Sequence, residues 1–468
     1  MTWLLTLQYL LRNDTYMDFS TLPLETLIDP AGLDCGCGRT HRVSMEFLKI
    51  GSGAVGSIPD ALDNLGVVKP FIVCDSNTYE AAWRFVEPVL LRHGIPFTLY
   101  QFPMERVEPD EHAVGSLTMA FDTTCDCVMS VGSGVVSDCC RVLAYALRIK
   151  QIAIATAPSM DGYASNSASM IRQRIKVSLY CKTPAAIIAD TDIIKDAPMR
   201  MLWAGLGDML AKYVALCEWR ISHLVTGEYY CENIAAMMRA SLVKVVSAAP
   251  GLARRDEDAV RATVEGLILS GIAMSYAGIS RPASGLEHYF SHIWEMMALE
   301  RGTPYELHGI QVGIGTLLTL KLYDTIRTLK PNRATAEAFI GSFSDERWQA
   351  MIRRIFGQAA DTMIQQEHTI FHKNDKATHS RRFNIIEARW DDILRIIDEE
   401  LPPTDQIESL MRSLGMPMLP DDIGIGEEDT LNAFIGSRDI RDKYLTSSML
   451  WDMGLLYDSK LTLPMLSS

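Results

Sequence analysis

No run of lysine or arginine, and no stripe of basic residues interleaved with aromatics, occurs anywhere in the 468 residues. With 44 basic against 58 acidic side chains the formal charge is −14. No nucleic-acid partner is expected, and an anionic small molecule would have to be held by local groups rather than by a long-range field. A long apolar run is missing too. Trp3–Leu11 is too short to span a bilayer and has neither a preceding positive charge nor a small-residue cleavage site, so it reads as an N-terminal helix, with no membrane insertion and no secretory signal. The ten cysteines are dispersed rather than paired, which fits reduced thiols and a cytoplasmic location. Cys35-Gly36-Cys37-Gly38 with His41 lacks the second ligand pair that structural zinc prefers, and reads as strand and turn.

What is there implies two domains, since 468 residues exceed what one core holds. From Val67 to Thr156 short apolar runs (Phe71–Cys74, Phe97–Tyr100, Cys127–Val131, Gln151–Ala155) alternate with amphipathic stretches (Tyr79–Arg92, Val114–Phe121, Val135–Leu147). That alternation predicts parallel βαβ units in a doubly wound sheet. Ile175–Leu179 and Ala186–Ala189 read as two further strands closing the same domain. Beyond Ile194 the 3.6-residue period takes over in Ala204–Leu224, Cys231–Val246, Val260–Met274 and His308–Ile326. The reading is an α/β nucleotide-binding domain over 1–195 and a mostly α-helical domain over 196–468, with the site in the cleft at the carboxyl ends of the strands.

Gly132-Ser133-Gly134 follows a strand and opens a helix, where two glycines let backbone approach a pyrophosphate and the helix N-terminus offers free amides. Ser137 stands where the usual dinucleotide fingerprint has its third glycine, so a plain strand-to-helix turn is the competing reading. Asp75 ends the Phe71–Cys74 strand; its carboxylate suits a ribose diol and repels a 2′-phosphate, or it forms a turn with Ser76 and Asn77. Asp208, His288 and His308 are one carboxylate and two imidazoles, a donor set for a divalent first-row metal that leaves a coordination position open. Lys212 lies one helical turn from Asp208, either reaching toward substrate or forming a surface ion pair. His292 lies one turn from His288, and by spacing alone these two histidines would be the ligands.

Thr156–Ser165, with Pro158, Ser159 and Asp161 inside it, and Ser280-Arg281-Pro282-Ala283-Ser284-Gly285 before Glu287-His288, together with the Cys35–His41 and Gly132–Gly134 segments, closely resemble the sn-glycerol-1-phosphate dehydrogenases. Those enzymes sit within the superfamily of iron-containing alcohol dehydrogenase, glycerol dehydrogenase and dehydroquinate synthase. The resemblance runs from about Cys35 to near Gly454. It implies an NAD-dependent enzyme, with NADP as an alternative, interconverting glycerone phosphate and sn-glycerol 1-phosphate, and a homodimer by analogy. It assigns one divalent metal, zinc or nickel, to Asp208, His288 and His308. Asp161, Lys212 and His292 then serve substrate and catalysis. Asp75, Gly132, Ser133, Gly134, Asp138, Thr156 and Ser159 face the cofactor. Arg281 is expected to grip the substrate phosphate with its guanidinium fork. The rival readings are another polyol dehydrogenase, a sugar-phosphate cyclase resembling dehydroquinate synthase, and a non-catalytic binding protein that keeps the fold.

Overall fold

A computed structural model describes residues 18–103, 107–172 and 175–466. The N-terminal helix read at Trp3–Leu11 lies outside these residues. Six parallel strands form the central sheet: β1 (Phe47–Gly51), β2 (Pro70–Cys74), β3 (Thr98–Gln101), β4 (Cys127–Gly132), β5 (Lys150–Ala155) and β8 (Ala186–Asp190), in the order β1-β8-β5-β4-β2-β3. Strands β2, β4 and β8 are buried along their whole length. Burial on both faces is why they read as continuous apolar runs rather than alternating ones. Helices α1 (Ile58–Leu65), α2 (Ser76–Arg92), α3 (Glu111–Ala120) and α4 (Gly134–Leu147) make the crossovers.

From β2 the chain moves outward to the edge strand β3, then returns across β2 to β4 and continues the other way to β5. The carboxyl ends of β2 and β4 therefore flank a topological switch point, where open parallel sheets bind ligands. Asp75 and Gly132 stand at those two ends.

The strand read at Ile175–Leu179 is present but stands outside the central sheet. Residues Ile175–Tyr180 (β7) do not join the sheet; they pair antiparallel with Ser167–Arg172 (β6), a strand the sequence reading missed. This hairpin is held outside the sheet by side-chain anchors: Arg141 donates to the Ser167 carbonyl at 2.7 Å and Asp138 accepts from the Ser169 N–H at 3.0 Å. Near the start of the described residues, Phe19, Leu27, Leu33 and Met45 are buried in one cluster with helical residues such as Trp219 and Tyr276 and with Ala155 and Ala189 of the sheet.

The helical part is built on α5 (Met199–Thr226), α6 (Glu232–Ala248), α7 (Glu257–Ala277), α8 (Leu286–Arg301) and α9 (His308–Ile326). Helices α5 and α9 cross backbone to backbone. A Cβ on Gly207 would fall on the carbonyl oxygen of Gly309, and one on Gly309 would fall on that of Ala204. The obstacles are backbone atoms, which cannot rotate away. Gly309→Ala is therefore expected to cost several kcal/mol, on the order of 3 or more, by forcing the helices apart. Urea unfolding measures this, and a change below about 1 kcal/mol would show that the crossing tolerates a methyl group.

Candidate active site

The cleft between the strand ends and the helices has a volume of about 940 Å³ and runs from Asp75 and Arg84 at one end to His288, His308 and Arg441 at the other. At its sheet side, Ser133 precedes α4 without a side-chain cap, so the first amides of that helix have no protein partner from this residue. A Cβ on Gly132 would meet Val136 Cβ at 2.6 Å, so glycine is needed for the turn to close. Ser133 Oγ bonds to Ser159 Oγ at 2.6 Å and donates to the Ala157 carbonyl at 3.2 Å, tying the glycine turn to the loop after β5. Asp75 caps α2 by accepting the Thr78 N–H at 2.7 Å, and it also lines the cleft. Thr156 and Ser159 line the cleft as expected. Asp138 does too, but its oxygens are taken by Arg141 at 2.8 Å and the Ser169 N–H. Burial pushes its carboxyl up to about 6, against the pull of Arg141.

Behind the Asp161 side of the cleft, Asp208 on α5 is fully buried and, like Lys212, is not itself among the lining residues. Its Oδ2 accepts the Asp161 N–H at 2.7 Å and its Oδ1 accepts from Lys212 Nζ at 2.8 Å. Lys212 also donates to Asp161 Oδ2 at 2.9 Å, and Ser270 of α7 donates to the same oxygen at 2.7 Å. Burial alone would neutralise such a group, but the Asp161 and Asp208 carboxylates hold the Lys212 ammonium above its ordinary range. Conversely Lys212 and His288 hold Asp208 well below the usual carboxylate range, against burial. The solvent-exposed ion pair that the sequence left open for Lys212 is thereby excluded.

Both imidazoles are fixed through Nδ1. His288 bonds Glu287 Oε1 at 2.8 Å, and His308 bonds Ser291 Oγ at 2.9 Å and Glu295 Oε1 at 3.2 Å. Nε2 of each ring is left for another partner, and His288 Nε2 lies 3.4 Å from Asp208 Oδ1. The His288 and His308 ring centroids are 5.3 Å apart. Burial, with the Lys176 charge nearby, lowers the pKa of His308 to about 3, so it is neutral at working pH and its lone pair is available. Carboxylate oxygens behind Nδ1 are the usual outer shell of a metal-binding histidine, so the donor set fits a divalent cation.

His292 stacks on His308 at 5.5 Å, and its Nδ1 is buried without a partner. His292, Glu295 and His308 also bring ligand atoms within 4.8 Å of one another. Glu295, however, already contacts the Lys176 ammonium, which competes for the same carboxylate.

Arg281 is not where the sequence reading put it. It is 2% exposed and absent from the cleft lining; its guanidinium donates to both oxygens of Glu228 at 2.9 and 2.6 Å, to the Tyr444 carbonyl at 2.9 Å and to Ser222 Oγ at 3.1 Å. A bidentate acid within the protein has taken the fork intended for a phosphate. The cations at the catalytic end of the cleft are instead Lys176 and Arg441, neither foreseen. Glu287, Glu295 and Ser270 were also missed. The two glutamates share a helix with His288, and the three- and four-residue spacings from Ser291 and His292 to Glu295 could have singled that one out. Arg441 carries no local signal at all.

Glu218 holds the start of α8. Its Oε2 accepts the Leu286 N–H at 2.9 Å and its Oε1 the Thr446 N–H at 2.8 Å.

With this geometry in place, comparison with known proteins identifies the class and then the family. The family model for iron-containing alcohol dehydrogenases matches residues 49–198. A probable glycerol dehydrogenase from Sinorhizobium meliloti superposes with a TM-score of 0.58 at 16% identity, covering 90% of this chain and 97% of that one. An alcohol dehydrogenase from Oenococcus oeni gives 0.56 at 15%, covering 86% and 94%. The fold is thus that of the iron-containing alcohol dehydrogenase class. Among sequence relatives, a glycerol-1-phosphate dehydrogenase of the NAD(P)+ type from Halalkalibacterium halodurans is 36% identical over 294 residues, 62% of this chain and 74% of the relative. One of the same name from Hyperthermus butylicus is 35% identical over 284 residues, 60% of this chain and 80% of the relative. The chain belongs to the glycerol-1-phosphate dehydrogenase family of this class.

Two expectations follow from the buried charges. Burial, reinforced by the nearby Glu287 carboxylate, raises the Glu218 carboxyl to about 7. A carboxyl raised above its unfolded value binds more protons in the folded state, so this group's contribution to stability falls as pH rises from about 4.5 to about 7. Glu218→Gln should remove that dependence, seen as a smaller difference in unfolding free energy between about pH 5 and about pH 8 than in the wild type. Arg281→Ala should destabilise the fold by about 3 kcal/mol by stripping Glu228 of its partner. It should lower turnover of phosphorylated and unphosphorylated substrates alike; a loss confined to the phosphorylated one would restore Arg281 to the phosphate site.

Proposed function

We propose that the protein is a metal-dependent oxidoreductase interconverting glycerone phosphate and sn-glycerol 1-phosphate with NAD(H) or NADP(H). The observation that carries the reading is the placement of His288 beside both Asp208 (Nε2 to Oδ1 3.4 Å) and His308 (ring centroids 5.3 Å), with both imidazoles anchored through Nδ1 and lining the same cleft as an uncapped glycine turn. The relatives' names supply the substrate. Asp208, His288 and His308 would hold the metal, which when bound polarises the C2 oxygen, while the nicotinamide exchanges hydride with C2.

The chain's own residues do the rest. Amides at the start of α4 receive the pyrophosphate, with the positive end of the helix behind them. Asp75 receives the adenosine ribose diol, and Arg84 at the same end gives a 2′-phosphate a partner, which agrees with use of both cofactors. Lys212 and Ser270 fix the Asp161 carboxylate, which orients the substrate hydroxyl. His292, held neutral by burial and neighbouring cations, is the polar group positioned to hydrogen-bond substrate beside His308. Arg441, not Arg281, takes the phosphate; its guanidinium is only lightly committed, to Ser178 Oγ at 3.3 Å. Cytoplasmic location and a homodimer belong to the same reading, the second to be read from size-exclusion chromatography.

Metal-reconstituted enzyme should oxidise NADH with glycerone phosphate, and chiral analysis should find the 1-phosphate enantiomer; the 3-phosphate enantiomer, or no turnover, would overturn the reading. Asp208→Ala or His308→Ala should remove the cleft metal and lower kcat by roughly a thousandfold or more. Arg441→Ala should raise KM at least about tenfold for glycerone phosphate, with little change for dihydroxyacetone. Asp75→Ser should shift the NADPH/NADH ratio toward NADPH, and an unchanged ratio would place the selector elsewhere.

A further inference from the structure

The segment read from sequence as a bare turn acquires a fourth member from across the fold. Leu33–Asp34 pairs antiparallel with Thr40–His41, which makes Cys35–Gly38 the tip of a hairpin. This tip packs against Cys231, the residue preceding α6, 190 positions beyond His41. Cys35 Sγ lies 3.6 Å from Cys231 Sγ, Cys37 Sγ 3.3 Å from His41 Nε2, and Cys231 Sγ 3.7 Å from His41 Nε2. All four ligand atoms lie within 4.8 Å of one another.

The geometry points to a structural zinc site formed by Cys35, Cys37, His41 and Cys231, separate from the cleft. Zinc–sulfur bonds of about 2.3 Å arranged tetrahedrally put ligand atoms about 3.5–3.8 Å apart, and the separations of 3.6, 3.3 and 3.7 Å fall at or near that spacing. The histidine is oriented for it. His41 Nδ1–H donates to the Tyr276 carbonyl at 2.9 Å, which leaves the Nε2 lone pair facing the sulfurs. Asn233 Nδ2 donates to Cys35 Sγ at 3.3 Å, and Tyr229 Oη lies 3.4 Å from Cys37 Sγ, so hydrogen-bond donors surround the thiolates. Three thiolates and one zinc carry a net single negative charge; Arg39, stacked on the Tyr229 ring at 3.4 Å, supplies a cation beside them. A Cys35–Cys231 disulfide would use two of these groups and leave Cys37 and His41 facing only each other and the Tyr229 hydroxyl.

With four protein ligands the site is closed, so its role is to staple rather than to catalyse. It ties the N-terminal hairpin to the start of α6 and, through His41 and Arg39, to the Tyr276 and Ala277 carbonyls at the end of α7. The same helix carries Ser270, which holds Asp161, and the chain leaves it for the loop that enters α8.

The test uses the full chain purified under reductant, with the cleft ligands removed by the double substitution Asp208→Ala, His308→Ala. That protein should retain about one zinc per chain, with an X-ray absorption spectrum dominated by sulfur at about 2.3 Å. Adding Cys37→Ser should lower the zinc to under about a tenth per chain. Should that triple variant fail to fold, cobalt substitution of the double variant decides: thiolate-to-cobalt charge-transfer absorption supports the site, and its absence overturns it. Zinc missing from the double variant, a nitrogen- and oxygen-only shell, or a Cys35–Cys231 disulfide found by non-reducing mass spectrometry in place of zinc would each overturn the proposal.

Discussion

The close crossing of α5 and α9 is the constraint on which the site rests. Gly207 and Gly309 remove the side chains that would otherwise keep the two helices a normal distance apart, and each is next to a candidate ligand, Asp208 and His308. Backbone contact between helices permits little sliding, so the carboxylate on one and the imidazole on the other are held in register before any ion arrives. Gly205 continues the same seam on the other side, where a Cβ would collide with the Pro158 carbonyl and so push the Asp161 loop away. Three glycines thus set the spacing between the loop after the sheet and the two ligand helices. Close packing makes such spacing stiff, which a site of fixed geometry needs.

Charge balance is the second condition. Asp161, Asp208 and Lys212 are all buried, and each would be costly alone. Together they form a bridged group in which the ammonium satisfies both carboxylates and Ser270 and the Asp161 amide supply further hydrogen bonds. The network leaves two anionic groups against one cation next to the neutral His308 imidazole. Such a balance favours a divalent ion without requiring a charged histidine. The Arg281–Glu228 pair plays a different part: it joins α5, the loop after it and the C-terminal segment at Tyr444, around the loop that leads into α8.

The C-terminal segment completes what the sheet and the ligand helices begin. Thr446 donates to Glu218, which also receives the first amide of α8, and Arg441 reaches the cleft from the same stretch. The β6–β7 hairpin closes on the cleft from the opposite side, with Lys176 against Glu295 and Ser178 against Arg441. Groups that approach from such distant parts of the chain share no helix period or strand alternation.

The sequence by itself determined the alternating strands and helices of the sheet, the long helices after it and the glycine turn at the helix start; the candidate set Asp208, His288 and His308 came from the resemblance of the motifs around them, since the three stand on different helices. Each of the first three depends on local spacing: a period of two or 3.6, or a turn residue. Tertiary structure alone decided that Ile175–Tyr180 stands out as a hairpin, that Arg281 is consumed by Glu228 while Arg441 enters the cleft, and that Cys231 joins Cys35, Cys37 and His41. An arginine's spacing says how far it can reach but not which acid it meets first, and a cysteine 190 residues away leaves no mark on the local pattern. Long-range partners are selected by packing, and packing exists only once the chain has folded.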